Sequence, residues 1–307
     1  MGVYLMQSHD HAISINESPS KIALVTGANS GMGLATTVEL LKKDYYVVML
    51  CRSEQRGKEA LQIAKEQSNR EHVELMLCDL GSLHSIRQFA EAFNERFSKL
   101  DALINNAGVV TTKRTTTSDG FESMLGINHL GHFLLTNLLL EKIKRSEQGR
   151  IVTVSSGAHK VGKIHFDDPH LKNNFSVIKG YGQSKLANIL FTVKLDELLQ
   201  NTTVKANCVH PGAVSTSLGI NRDTGFGKTI HSVLRPFFQT PEQGADTAVY
   251  LATFPDLDVS GEYFYKREII ERSTLAQDKT LAENLWEWSE REIALKDKHL
   301  LQELKNS

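Results

Sequence analysis

Three cysteines in 307 residues, Cys51, Cys78 and Cys208, stand far apart and form no C-x-x-C. Such spacing rules out a disulfide framework and points to a reducing compartment, with the thiols serving as small buried hydrophobes. Net charge is lacking too: 35 Lys and Arg against 36 Asp and Glu leave −1, so the balance gives no reason to expect nucleic acid or an anionic membrane as partner. No apolar run approaches the roughly 18 residues of a spanning helix. The opening MGVYLMQSHDHAISINESPSK is polar and has no apolar h-region, which predicts a flexible arm over residues 1–20, no membrane anchor and a cytoplasmic protein. Linker-like composition and internal repeats are also missing, so residues 21–307 are expected to form one domain.

What is present is alternation. KIALVT (Lys21–Thr26), YYVVML (Tyr45–Leu50), VELMLCD (Val73–Asp79), DALINN (Asp101–Asn106), RIVTVSS (Arg150–Ser156), VKANCVH (Val204–His210) and SGEYFY (Ser260–Tyr265) read as strands. Most are apolar nearly throughout, as strands buried on both faces of a parallel sheet must be. Amphipathic segments separate them at Met32–Lys43, Glu54–Gln67, Leu83–Phe97, Gly120–Lys144, Val177–Leu199 and Pro241–Phe254, and the tail from Gln277 to Lys305 has a helical pattern. The alternation predicts right-handed βαβ units. The fold class is therefore α/β: a doubly wound Rossmann-type, mostly parallel seven-stranded sheet with helices on both faces. Two stretches break the rhythm. His159–Ser176 is a polar insertion, and Ser217–Gln239 mixes glycine with Phe and Leu, which predicts a lid over about 214–240.

VTGANSGMGLA follows the first strand and opens the first helix. Gly27, Gly31 and Gly33 provide a tight turn, close backbone approach to a phosphate, and close packing of helix on strand. Free N–H groups at the helix start, with Asn29, Ser30 and Met32 alongside the glycines, then face a pyrophosphate. The end of the second strand selects the dinucleotide. An NAD site places a carboxylate there; this chain has Cys51 and Arg52, with Glu54 beyond. A guanidinium binds the 2′-phosphate that a carboxylate would repel, so Arg52 argues for NADP. Arg52 as a solvated charge at a helix start, and NAD as the cofactor, are the alternatives.

Thr26–Gly33 (T-G-x-x-x-G-x-G), Asn105–Gly108 (N-N-A-G), the serines of VSS and Tyr181–Lys185 (Y-x-x-x-K) occur in order, each on the expected element. In this set the chain resembles the short-chain dehydrogenase/reductase family, over roughly Lys21 to Tyr265. CRSEQRGKEA, GINHLGHFLLTNLLL, YGQSKLANILF and HPGAV are most similar to its retinol-dehydrogenase-like branch. The resemblance implies catalytic roles for Asn128, Ser156, Tyr181 and Lys185. It also implies cofactor contacts at Asp79 near the adenine, at Leu80, Asn106, Ala107, Gly108 and Tyr181, at Lys185 on the nicotinamide ribose, and at Pro211, Gly212, Val214 and Thr216 around the nicotinamide. Asp79 has a turn or capping role as its rival, and Asn106 is expected to clamp the central strands rather than touch substrate. The apolar N-terminal anchor of the branch's membrane-bound retinoid enzymes has no counterpart here.

The chemistry explains the pairing of phenol and ammonium. Hydride transfer to a carbonyl leaves charge on oxygen that a proton must quench, and the reverse reaction needs a base. A phenol with pKa near 10 is a poor base at neutral pH. An ammonium one helical turn away, together with an oxidised nicotinamide, would favour phenolate. Of the two serines ending the fifth strand only one can readily face the cleft; the branch pattern selects Ser156, with Ser155 as fallback, and its hydroxyl would hold the substrate oxygen. Asn128 lies in an apolar helix, where an amide is otherwise unfavourable; the resemblance implies that it bends the helix and holds a water leading to Lys185, and a contact that merely fixes packing is the alternative.

His129, His132, His159 and His210 lack carboxylate or thiolate partners at ligand spacing, so no metal is expected. The lid's apolar residues suit a small apolar carbonyl or alcohol. Apolar residues on more than one face of Gly120–Lys144 and Val177–Leu199 predict burial on two sides, and family members often pair through these helices, so a homo-dimer or tetramer is expected. A binding protein that senses NADP(H) without turnover is the rival functional class.

Overall fold

The computed structural model describes residues 21–212 and 240–306, with side chains described as far as residue 294. The predicted arm over residues 1–20 and, apart from Thr240, the predicted lid lie outside the described residues.

The apolar runs assemble into one sheet. Strands β1 (Lys21–Thr26), β2 (Tyr45–Cys51), β3 (Val73–Leu77), β4 (Ala102–Asn105), β5 (Arg150–Val154), β6 (Lys205–Val209) and β7 (Tyr263–Tyr265) lie in the order 3-2-1-4-5-6-7. Every neighbouring pair among them is parallel. An eighth strand, β8 (Glu268–Ile269), runs antiparallel to β7 and corrects the seven-strand expectation. Lys266 and Arg267 form its two-residue turn, both at positive φ (51° and 64°). A two-residue hairpin favours that geometry, but Asn-Gly or Asp-Gly normally announces it. Here two cations stand there and the strand is exposed, so neither turn chemistry nor periodicity marks it.

Alternate strand residues enter opposite cores. Ala23 and Val25 of β1 pack with helices α1 (Gly31–Lys42), α2 (Glu54–Ser68) and α6 (Pro241–Thr253) on one face. Leu24 packs on the other with α3 (Leu83–Arg96), α4 (Gly131–Lys144), α5 (Val177–Leu198) and α7 (Lys279–Asn306). Period-2 alternation with both faces covered is why the strands look uniformly apolar. The strand order reverses between β1 and β4, so the crevice lies beyond the carboxyl ends of those strands. Among the described residues, no helix is long and apolar enough to cross a membrane.

The segment expected as one helix from Gly120 begins instead at Ser123. Glu122 accepts the backbone N–H groups of Met124 and Leu125 with its two carboxylate oxygens (2.9 and 2.8 Å). One α turn (Ser123–Leu125) leads into a π turn (Gly126–Leu130), and only then does α4 run straight.

The wide apolar face of α4 and α5 finds a partner within the chain. Trp286 of α7 stacks on Phe191 (centroids 5.8 Å, planes 10° apart) and meets Phe133 edge-on at 4.8 Å. His129 Nε2 donates to Ser289 Oγ (2.9 Å), and Lys194 pairs with Glu283. Trp286 is 8% exposed, so Trp286→Ala should cost about 3–5 kcal/mol of stability. Urea unfolding would measure that loss, and limited proteolysis should show α7 becoming cleavable.

Candidate active site

The glycine turn leaves β1 at the crevice. Gly27 and Gly31 take positive φ (66° and 53°), conformations that other L-residues rarely adopt. Gly33 serves packing: a Cβ there would sit 2.3 Å from Gly27 O and 2.6 Å from Asn106 Nδ2. Thr26 Oγ1 accepts the N–H groups of Asn106 and Ala107, each at 2.9 Å, while Asn106 Nδ2 donates to Thr26 O (2.8 Å). Asn106 thus clamps the ends of β1 and β4 together.

The fit to a dinucleotide rests on groups left uncommitted. Ser30 and Ser53 occupy the capping positions of α1 and α2, yet neither hydroxyl caps its helix. The hydroxyls of Ser82, Ser176 and Thr240 do cap theirs. Arg52 is exposed and makes no hydrogen bond or ion pair with any described residue. Beside it, burial pushes the Cys51 thiol up to about 11, so Cys51 is neutral at pH 7, and Glu54 beyond it is paired with Lys58. Two helix starts whose serine hydroxyls do not cap them, and a guanidinium unpaired among the described residues, suit phosphate groups. Asp79 Oδ1 accepts Gly81 N–H (2.8 Å), a turn role. Leu80 is buried, with its carbonyl against Gly131; Asn29 is half-buried and Met32 buried.

The second cluster gathers at the ends of β4 and β5. Asn128, in the π turn, is wholly buried and its amide is fully engaged. Its Nδ2 donates to Val109 O (3.1 Å) and Ser184 Oγ (3.0 Å), and its Oδ1 accepts Val109 N–H (2.8 Å). Lys185 Nζ donates to Val154 O (3.0 Å). A methyl built on Gly108 would lie 3.5 Å from Asn128 Oδ1 and 3.7 Å from Lys185 Nζ, so both groups face one small space over that glycine.

The serines separate cleanly. Ser155 is buried and donates to Lys185 O (2.7 Å). Ser156 hydrogen-bonds the Tyr181 hydroxyl and accepts Ala158 N–H (3.2 Å). Although 25 residues separate Ser156 from Tyr181, the insertion folds back tightly. Gly162 lies on the Gly182 carbonyl, where a Cβ would come within 2.2 Å. Gln183 receives His165 N–H (2.9 Å) and donates to Pro169 O (2.8 Å).

Electrostatics here depart from expectation. Burial raises the Tyr181 phenol, opposed by the hydrogen bond with Ser156. Burial lowers the Lys185 ammonium to about 8, and Nζ lies 5.6 Å from the Tyr181 ring centre. In the protein alone, desolvation outweighs any pull of Lys185 on the phenol.

The four histidines each engage protein groups. Besides His129, His132 bridges Thr26 and Asn128. His159 Nδ1–H donates to Ser156 O (2.8 Å) while Nε2 accepts Ser273 N–H (3.3 Å). His210 Nδ1 accepts Gly212 N–H (3.2 Å), and its ring stacks on Tyr265. Pro211 and Gly212, the latter at φ 78°, form the turn after β6. Val214 and Thr216 lie outside the described residues. Val109, through its backbone, and Ser184 join this network without having been singled out in the sequence, and Thr26 and His132 join it in roles other than the motif and metal readings given them there.

The family model for short chain dehydrogenases matches residues 21–225. Retinol dehydrogenase 14 of Mus musculus is 43% identical over 283 residues, spanning 88% of this chain and 85% of that protein. Polyprenol dehydrogenase of Homo sapiens is 38% identical over 277 residues, 87% and 83% of the two chains. Among solved structures, an uncharacterised protein of Mycobacterium paratuberculosis superimposes with a TM-score of 0.73 at 33% identity, covering 90% of this chain and 94% of that one. The chain belongs to the short chain dehydrogenase family of oxidoreductases, in its retinol-dehydrogenase-like branch.

Proposed function

We propose that the protein is an NADP-dependent oxidoreductase that moves a hydride between the nicotinamide and an apolar carbonyl or alcohol. The observation that carries this reading is the convergence of Ser156, Tyr181, Lys185 and Asn128 at the crevice mouth, beside a glycine turn with uncommitted phosphate-binding groups. The bound dinucleotide supplies or takes the hydride. Ser156 Oγ holds the substrate oxygen, and the Tyr181 hydroxyl gives or removes its proton. A phenol raised by burial stays protonated at neutral pH and suits the donor role in carbonyl reduction. Lys185, lowered to about 8, changes charge close to working pH, and with Asn128 it faces the space over Gly108 through which a water-borne proton would be replaced. His159 fixes the Ser156 carbonyl and thereby the hydroxyl beside it.

Arg52 is proposed to bind the 2′-phosphate. Retinol and polyprenol, the substrates in the relatives' names, are isoprenoid alcohols, which supports an apolar substrate of that class. The test is NADPH oxidation against a panel of aldehydes, ketones and quinones that includes retinal, together with titrations of NADPH and NADH. Tighter NADPH binding is expected, and Arg52→Ala should weaken it tenfold to about a hundredfold while sparing NADH. Tighter NADH binding would sink the role given to Arg52, and no turnover across the panel would sink the apolar-carbonyl reading.

A further inference from the structure

His132 stands outside the four groups of the proposed chemistry, yet it touches both halves of the site. It lies in the first turn of α4, 1% exposed. Its Nδ1 is 3.1 Å from Asn128 O, four residues back, and its Nε2 is 2.9 Å from Thr26 Oγ1, across 106 positions of chain. A carbonyl can only accept, so Nδ1 carries the hydrogen. Nε2 is then the acceptor, and the Thr26 hydroxyl donates to it. That hydroxyl has a competing acceptor in Ile104 O, but at a longer 3.3 Å. The same Thr26 oxygen receives Asn106 N–H and Ala107 N–H. One imidazole therefore fixes the hydroxyl that gathers the ends of β1 and β4 at the glycine turn, and also the carbonyl of the residue whose amide binds Val109 and Ser184 beside Lys185.

Ordinary core packing does not require this arrangement. An apolar side chain would fill the volume, and the i−4 contact alone would satisfy one nitrogen. The ring also stays neutral: burial first, and the nearby Lys185 ammonium, push it down to about 4, so its donor and acceptor sides do not exchange at working pH. The neutral tautomer is thereby locked by one partner on each half of the site.

We infer that His132 is a positioning residue that couples the dinucleotide turn to the Asn128–Lys185 side of the site through the Thr26 hydroxyl and the Asn128 carbonyl. The inference rests on the dinucleotide reading above. It implies that the two ring nitrogens have separable effects. Asparagine can keep a donor at the δ position and glutamine an acceptor at the ε position, so His132→Asn retains the Asn128 link and His132→Gln the Thr26 link.

The experiment is calorimetric titration of NADP+ between pH 6 and 10 on full-length wild-type, H132N, H132Q and H132L proteins. Because a positively charged nicotinamide favours phenolate, NADP+ affinity should rise with pH, and its midpoint reads the Tyr181–Lys185 pair without any substrate. H132N should weaken binding about tenfold with the midpoint unmoved. H132Q should bind within about twofold of wild type but shift the midpoint by about half a pH unit. H132L should show both changes. Equal effects of H132N and H132Q on both readouts, or an H132L that matches wild type, would overturn the inference. Should the variants not fold, the ¹⁵N signals of the wild-type His132 ring still decide it: they should report the neutral Nδ1–H form and move when NADPH is added, and signals that ignore NADPH would overturn it. Wild-type protein that binds no dinucleotide would defeat the functional reading and this inference together; normal wild-type binding with indifferent variants would defeat the inference alone.

Discussion

Tyr181→Phe is expected to lower turnover by about 10²–10⁴ while leaving NADPH affinity within about threefold of wild type. The substitution removes one oxygen from a half-buried ring and leaves the ring itself in place. Its hydroxyl bonds Ser156, and the glycine turn and Arg52 are untouched, so the loss should fall on kcat with little change in binding. The pH profile separates this mechanism from a packing defect. Because burial raises the Tyr181 phenol above its ordinary value of 10, the protonated donor persists across the neutral range. Reduction should therefore stay flat until pH climbs towards that raised pKa and then fall. Oxidation needs the phenolate and should rise with pH over the same interval. In Tyr181→Phe both dependences should vanish along with the rate. Stopped-flow reduction and steady-state oxidation followed from about pH 7 to about pH 12 would show it. A variant retaining the wild-type slopes, at any rate, would remove Tyr181 from the chemistry.

That expectation departs from the one the sequence suggests, and the reason is physical. Spacing of Tyr181 and Lys185 at i and i+4 puts both on one helix face, which is a local property and legible in the chain. Whether the ammonium or the surrounding protein dominates the phenol's acidity depends on depth of burial, and burial depends on how Ser156 and the insertion fold back onto this helix from well upstream in sequence. Ser155 and Ser156 make the same point. Strand alternation says that one faces the cleft, but choosing between them requires knowing that Ser155 is consumed by the carbonyl of Lys185, 30 residues on. The sheet was legible for the opposite reason. Each buried strand must be apolar on both faces, so its pattern is written in its own few residues. β8 escaped because two exposed residues bury nothing. Gly120–Lys144 reads as one helix because an apolar period survives a π turn, while the handover from Gly126 to Gly131 is a backbone event that leaves no mark in side-chain chemistry. His132 was weighed in the sequence only as a metal ligand, since nothing local announces that Thr26 lies against it.

Gly33→Ala should abolish dinucleotide binding and destabilise the fold, and here two principles predict opposite signs. Gly33 lies in the first turn of α1. If helix propensity ruled, alanine would stabilise the protein by about 1 kcal/mol. The neighbours of the added methyl decide otherwise. It would sit 2.3 Å from Gly27 O, 2.6 Å from Asn106 Nδ2 and 2.9 Å from Gly27 C. Two of these are backbone atoms of a turn already held by Gly27 N–H donating to Leu50 O (2.8 Å), and the third is the clamp on Thr26 O. None can yield as the end of a flexible side chain would, so α1 must lift off the turn or Asn106 must release β1. Overpacking of this kind costs about 1–3 kcal/mol in ordinary cores and more against backbone, which exceeds the propensity gain. The net change should be a loss of at least about 2 kcal/mol. Affinity for NADPH should fall at least about a hundredfold, because the helix start would no longer meet the turn. Urea denaturation and NADPH titration on the same preparation test both parts. A stabilised Gly33→Ala protein that still binds NADPH would mean that the approach of α1 to the glycine turn is looser than these distances require, and the phosphate site would have to be sought elsewhere on the crevice.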